Sequence, residues 1–167
     1  MSHSLIFYYP SIEGGGLEKN LFSLINSLAK KKYHVNFITY KNNTKDKKFG
    51  NKFFLNKKIK IITADFVPGL KHRYIKYLFC FFRLLFLKKK KDDIIISFQG
   101  NILPIIAAKL SKKKIVIRFN TAPSKYINHF LKKIFFKYFY AKSNLILVTC
   151  EDFKKEIKKF FNLKSIV

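Results

Sequence analysis

Short β-branched or aromatic runs alternate with stretches of helical periodicity along the whole of this sequence, and no other feature constrains its fold as tightly. Strand-like runs occupy Leu5–Tyr9, Val35–Tyr40, Ile59–Thr63, Ile94–Phe98, Ile115–Phe119 and Leu145–Thr149. Between and after them, residue spacing predicts helices over Leu17–Lys32, Lys71–Leu87, Ile102–Leu110, Tyr126–Tyr140 and Asp152–Phe161. The first helix carries Leu17, Leu21, Leu24 and Leu28 at helical spacing, with Glu18, Lys19 and Asn26 elsewhere around it. Residues 41–58 read as a long polar loop, and the terminal SIV as the start of one more strand. Continuous apolar strands such as IIISF are expected where a sheet is covered on both faces. Strand and helix repeated in this order predict an α/β domain, doubly wound and Rossmann-like, with a mainly parallel sheet. No repeat or linker divides the 167 residues, so 1–167 reads as a single domain.

The net charge of +26 suggests an anionic partner, either nucleic acid or a membrane surface. A compositional cause competes with it: Lys, Asn, Ile, Phe and Tyr, all favoured by AT-rich coding, are abundant here. Position helps to decide. Lys30–Lys32, Lys88–Lys91 and Lys112–Lys114 each fall at a predicted helix end, just before the next strand. There they complement the helix dipole, by about 0.3–1 kcal/mol each. In a parallel sheet that is the amino edge, whereas ligands bind at the carboxyl edge. A non-enzymatic basic module that binds nucleic acid or an anionic membrane is therefore the alternative rather than the first reading. Cys80 and Cys150 lack metal-ligand spacing and read as free thiols of a reducing compartment. No basic and apolar leader precedes Pro10, so a cytoplasmic protein is expected. The segment from His72 to Lys91 is aromatic-rich and flanked by cations. It suits either packing against the sheet or peripheral contact with a membrane, and its apolar stretch, Tyr77–Leu87, is interrupted by Arg83 and too short to span one.

Gly14, Gly15 and Gly16 lie between the first strand and the first helix, at the carboxyl edge. Backbone N–H groups and a helix N-terminus meet there, which suits a phosphate; the competing reading is a tight turn without a ligand. GGGLEKN lacks the GK[ST] ending of a Walker loop. A dinucleotide fingerprint would need a third glycine at Lys19 and an acid near Tyr40 and Lys41. Hydride transfer is not expected.

GGGLEKNLFSLINSLAKKKYHVNFITY resembles the opening of glycosyltransferase family 4 enzymes. DDIIISFQGNILPIIAAKLSKKKIVIRFNTAP resembles the middle of the same N-terminal domain, and AKSNLILVTCEDFKKEI its later strand and helix. The resemblance runs through nearly the whole chain in the right order. It implies the N-terminal, acceptor-side half of a GT-B architecture: two Rossmann-like domains with a cleft between them. It also implies transfer of a sugar, with retention of configuration, from a nucleotide-sugar donor to a glycan or lipid-linked acceptor. Gly14–Gly16 would then face the donor diphosphate across the closed cleft. The donor-binding domain, with its E-x7-E motif, would follow Val167, so the chain by itself is expected to be catalytically incomplete. A scaffold half that pairs with a separate protein is the third reading.

Gln99, Asn101, Arg118 and Asn120 fall at strand ends, where they suit contact with acceptor or donor. Arg118 suits bidentate contact with a phosphate, unless a carboxylate within a packing layer already holds it. Glu151 and Asp152 read as helix-capping residues. Relatives often carry a histidine near the acceptor. The matching loops here offer Gln99, Asn101, Asn120 and Thr121 instead, and His3, His34, His72 and His129 lie elsewhere. No residue is singled out as catalytic, no metal-ligand cluster stands out, and no cofactor beyond the donor substrate is expected.

Overall fold

A computed structural model describes residues 4–31, 33–42, 55–67, 69–88, 92–125, 127, 129–163 and 166–167. Among these residues six strands form one sheet: β1 (Ser4–Tyr8), β2 (His34–Thr39), β3 (Lys60–Thr63), β4 (Ile94–Ser97), β5 (Lys114–Arg118) and β6 (Leu145–Leu147). Every pairing is parallel, in the order β3-β2-β1-β4-β5-β6. The chain leaves β1 towards β2 and β3, then returns to β4 on its other side. That reversal opens a crevice beyond the carboxyl ends of β1 and β4. The terminal Ile166 forms a parallel bridge to Ile146, where a further strand was expected.

Five α-helices among the described residues connect and cover the strands: α1 (Gly16–Lys30), α2 (Arg73–Phe86), α3 (Ile102–Leu110), α4 (Phe130–Tyr140) and α5 (Glu151–Phe161). Strand side chains alternate between two cores, as the period of two requires. Leu5, Phe7 and Tyr9 join Val35, Phe37 and Phe98 against α1. Ile6 and Tyr8 join Ile38, Ile95, Ile115 and Ile117 against α2, α3 and α5. Each fully buried Phe or Ile stabilises the fold by about 1.5–3 kcal/mol. The Tyr8 hydroxyl, buried between these layers, donates to the carbonyl of Tyr77 at 2.8 Å, and burial pushes its pKa far up.

Two sequence expectations shift in the structure. On α1 the buried stripe is Glu18, Leu21, Phe22, Ile25 and Ala29, while Leu24 faces solvent. Both stripes satisfy a 3.6-residue period, and the helix turns to place the Phe22 ring edge-on to Phe37, 5.8 Å between centroids. Helix α4 begins at Phe130 rather than at 126, because Pro123–Lys125 first form a 3₁₀ turn and Ile127 N–H bonds back to Pro123. Segment 41–58 lies largely outside the described residues, as do Lys32, Lys89–Lys91 and His3.

Candidate functional site

Beyond the carboxyl ends of β4 and β5 lies a cleft of about 1030 Å³. Gln99, Asn101, Arg118 and Asn120 all line it, so the structure gathers four residues from two strand ends into one place. Leu17 contributes from α1, Arg73, Tyr74, Tyr77 and Leu78 from α2, and Phe136 and Tyr140 from α4.

The three amides do structural work here. The Gln99 side-chain oxygen accepts the Ser11 N–H at 3.1 Å, joining the β1 and β4 loops. Asn101 accepts from the Ser97 hydroxyl at 2.7 Å and donates to the Arg118 carbonyl at 3.0 Å. The Asn120 amide donates to the Phe98 carbonyl. These braces hold the two strand ends in register around the cleft, and each uses a group that a ligand could otherwise take. Gly100 between them adopts φ +61°, and a Cβ there would lie 2.9 Å from the Tyr77 ring, so this turn requires glycine.

Arg118 differs. It is half-buried and lines the cleft, with its guanidinium carbon 5.0 Å above the Phe98 ring. No carboxylate pairs with it among the described residues. Burial pulls its pKa down, offset in part by the Tyr9 hydroxyl nearby. A guanidinium nevertheless stays charged, so the cleft holds a partly desolvated cation. Arg73 is better provided: its Nε donates to the Tyr77 hydroxyl and lies 4.0 Å from a Glu13 oxygen.

The glycine turn borders the cleft only through Leu17, and its geometry brings in a residue the sequence reading left aside. Glu18 folds its carboxylate back over the turn, accepting Glu13 N–H at 3.0 Å and Gly15 N–H at 2.9 Å. Burial by itself raises its pKa. The bonds from Glu13 N–H, the Tyr9 hydroxyl, its own N–H and Gly15 N–H outweigh that and hold it below the ordinary carboxylate range. Glu18 thus occupies part of the anion position that a helix N-terminus creates. Gly14 needs its glycine, at φ +85°. A Cβ on Gly15 would meet Glu18 at 3.2 Å, whereas one on Gly16 would point into open space. The N–H groups of Gly16 and Leu17 have no acceptor among the described residues and remain available. A G-x-x-E spacing was the available sequence signal for Glu18; Arg73 and Tyr77 offered none.

At the end of β6, Cys150 rather than Glu151 or Asp152 is the cap residue of α5. The two acids lie in the first turn, paired with Lys154 at 3.4 Å and Lys155 at 3.9 Å. His34, His72 and His129 do not line the cleft. Among the described residues no group of three or more His, Cys, Asp or Glu is placed to hold a metal.

Residues 14–167 match the family model described as Glycosyltransferase Family 4. A crystal structure of a glycosyltransferase from Rickettsia africae is similar with a TM-score of 0.67 at 14% identity, over 99% of this chain and 42% of that one. The structure of Anabaena HepE in complex with UDP and glucose is similar with a TM-score of 0.61 at 9% identity, over 100% of this chain and 44% of that one. The chain therefore spans less than half the length of either structure. No curated protein matches it in sequence.

Proposed function

The chain belongs to glycosyltransferase family 4, and from that premise we propose that it forms the acceptor side of a sugar-transfer site. The reaction moves a sugar from a nucleotide-sugar donor to a glycan or lipid-linked acceptor, with retention at the anomeric carbon. A donor-binding domain supplies the facing wall. Arg118 carries this reading: a half-buried guanidinium without a carboxylate partner among the described residues, lining a cleft on the carboxyl edge of the sheet. It contacts a phosphate oxygen of the acceptor or the donor. The free N–H groups of Gly16 and Leu17 face the donor diphosphate, beside the position Glu18 already fills. Electrostatic stabilisation of the departing diphosphate is then the main contribution of this half to the rate. The UDP and glucose in the HepE structure support a nucleotide-sugar as donor.

The test is release of nucleoside diphosphate from a panel of nucleotide sugars by protein expressed from its complete gene, with lipid extract as acceptor. Arg118→Gln removes one charge-assisted contact of about 1.5–3 kcal/mol, so kcat/KM falls about ten- to a hundredfold. Turnover unchanged in a folded Arg118→Gln protein would remove Arg118 from the site. No turnover with any donor would remove the transferase reading.

A further inference from the structure

Helices α2, α3 and α4 share one face of the sheet, with α3 touching both neighbours. The outer surface of this layer is unusually apolar. On α2 the inner stripe Tyr77, Cys80 and Leu84 is buried, while Tyr74, Leu78, Phe82 and Phe86 recur every four residues along an exposed one. The segment that suited either core or membrane therefore has one side for each. Helix α4, which the sequence reading treated only as aromatic-rich, goes further: Phe130, Leu131, Ile134, Phe135 and Tyr138 are all exposed, Phe130 and Leu131 to 75% and 78%.

Helical geometry groups those α4 residues into one arc, with Lys132 and Lys137 on its two flanks. Lys142 lies 3.8 Å above the Tyr138 ring at the end of the same arc. Residues 66–91 and 94–150, which contain all three helices, include no Asp or Glu. An exposed apolar surface this extensive is a docking surface, and its charge selects the partner. Apolar and aromatic residues flanked by cations, without a carboxylate, match the boundary between acyl chains and anionic headgroups. No described helix is long and apolar enough to cross a membrane, so the contact lies in the plane of the interface.

We propose that the α2–α4 face docks on an anionic lipid bilayer, with the α4 arc buried among the headgroups. Tyr74 and Leu78 of the exposed α2 stripe also line the cleft, so docking of that stripe brings the cleft to the lipid surface. On the sugar-transfer reading this favours a lipid-linked acceptor over a soluble glycan, but nothing in the surface itself depends on what the cleft binds.

The experiment is co-sedimentation of the full chain with phosphatidylcholine vesicles, with and without phosphatidylglycerol, with circular dichroism to verify folding. The protein is expected to bind the phosphatidylglycerol vesicles and to be released by salt in part only. Phe130→Ser with Leu131→Ser, both highly exposed and so compatible with folding, lowers vesicle affinity about tenfold or more. Lys132→Gln and Lys137→Gln lower it about fivefold each. Vesicle binding that these folded variants leave unchanged overturns the proposal. So does a chain that ignores vesicles but forms a dimer the Phe130→Ser, Leu131→Ser protein cannot form, or one that binds RNA and not lipid. Loss of vesicle binding would leave the transferase reading intact, since release of nucleoside diphosphate from a nucleotide sugar tests that separately.

Discussion

Replacing Glu18 by Gln perturbs the glycine turn at its centre. The two carboxylate oxygens each accept one backbone N–H, from Glu13 at 3.0 Å and Gly15 at 2.9 Å. Glutamine keeps one acceptor and turns an NH₂ group towards the other N–H, so one bond is lost and two donors oppose each other. The remaining bond loses its charge assistance. With a charge-assisted bond contributing about 1.5–3 kcal/mol, the expected loss at neutral pH is about 2–4 kcal/mol. The pH dependence gives a second check. The folded pKa of Glu18 lies below its ordinary value of 4.5, so its contribution is fully present above pH 4.5 and disappears as pH falls through the lowered folded value. Urea unfolding of both proteins, followed by circular dichroism, should show a gap that is constant above pH 5 and closes under acid. Equal stability at neutral pH would refute the assignment of Glu18 as the group that closes the turn. A gap that persists unchanged below the folded pKa would show that charge is not its source.

Further predictions follow from the same geometry. Gly16→Ala leaves stability nearly unchanged because its Cβ meets open space, whereas Gly14→Ala costs about 1–2 kcal/mol for its left-handed backbone; paired melts compare them. Gly100→Ala combines a φ of +61° with a 2.9 Å approach to Tyr77, and about 2–4 kcal/mol is the expected loss in the same assay. Tyr8→Phe removes the hydroxyl's bond to the Tyr77 carbonyl, which keeps its helical partner within α2, and lowers stability by about 0.5–1.5 kcal/mol. Exposed Cys150 should react with a thiol reagent at once. Cys80 is fully buried with its thiol pKa pushed up, and should react only on unfolding, a difference that mass spectrometry reads directly.

The order of the elements was legible because strand and helix periods differ so clearly in this chain, and IIISF and IVIRF each sit where a central parallel strand belongs. Gln99, Asn101, Arg118 and Asn120 were legible as neighbours for the same reason: they follow paired strands at the edge where ligands bind. Their separate roles were not. That the three amides brace backbone, while Arg118 meets no carboxylate among the described residues, depends on contacts across 17 to 88 residues of sequence, which spacing does not report. Glu18 was hidden because its partners are backbone groups of a loop that folds over it. Of the four leucines on α1, Leu21 is buried and Leu17 and Leu28 pack against the core, while Leu24 faces solvent because the buried stripe turns towards Phe22 and Ile25. For α4, periodicity identified a helix; it could not say that so many of its apolar side chains would face outward.

The proposed anion site at the carboxyl edge of the sheet comprises the first turn of α1 and Arg118. A titration of ¹⁵N-labelled protein with UDP tests it most directly. The predicted result is saturable movement of the Gly16 and Leu17 amides and of the Arg118 side-chain Nε–H, abolished for the amides by Gly16→Val in a protein that remains folded. Shifts confined to the lysine clusters at the amino edge, growing without saturation and vanishing with added salt, would contradict it.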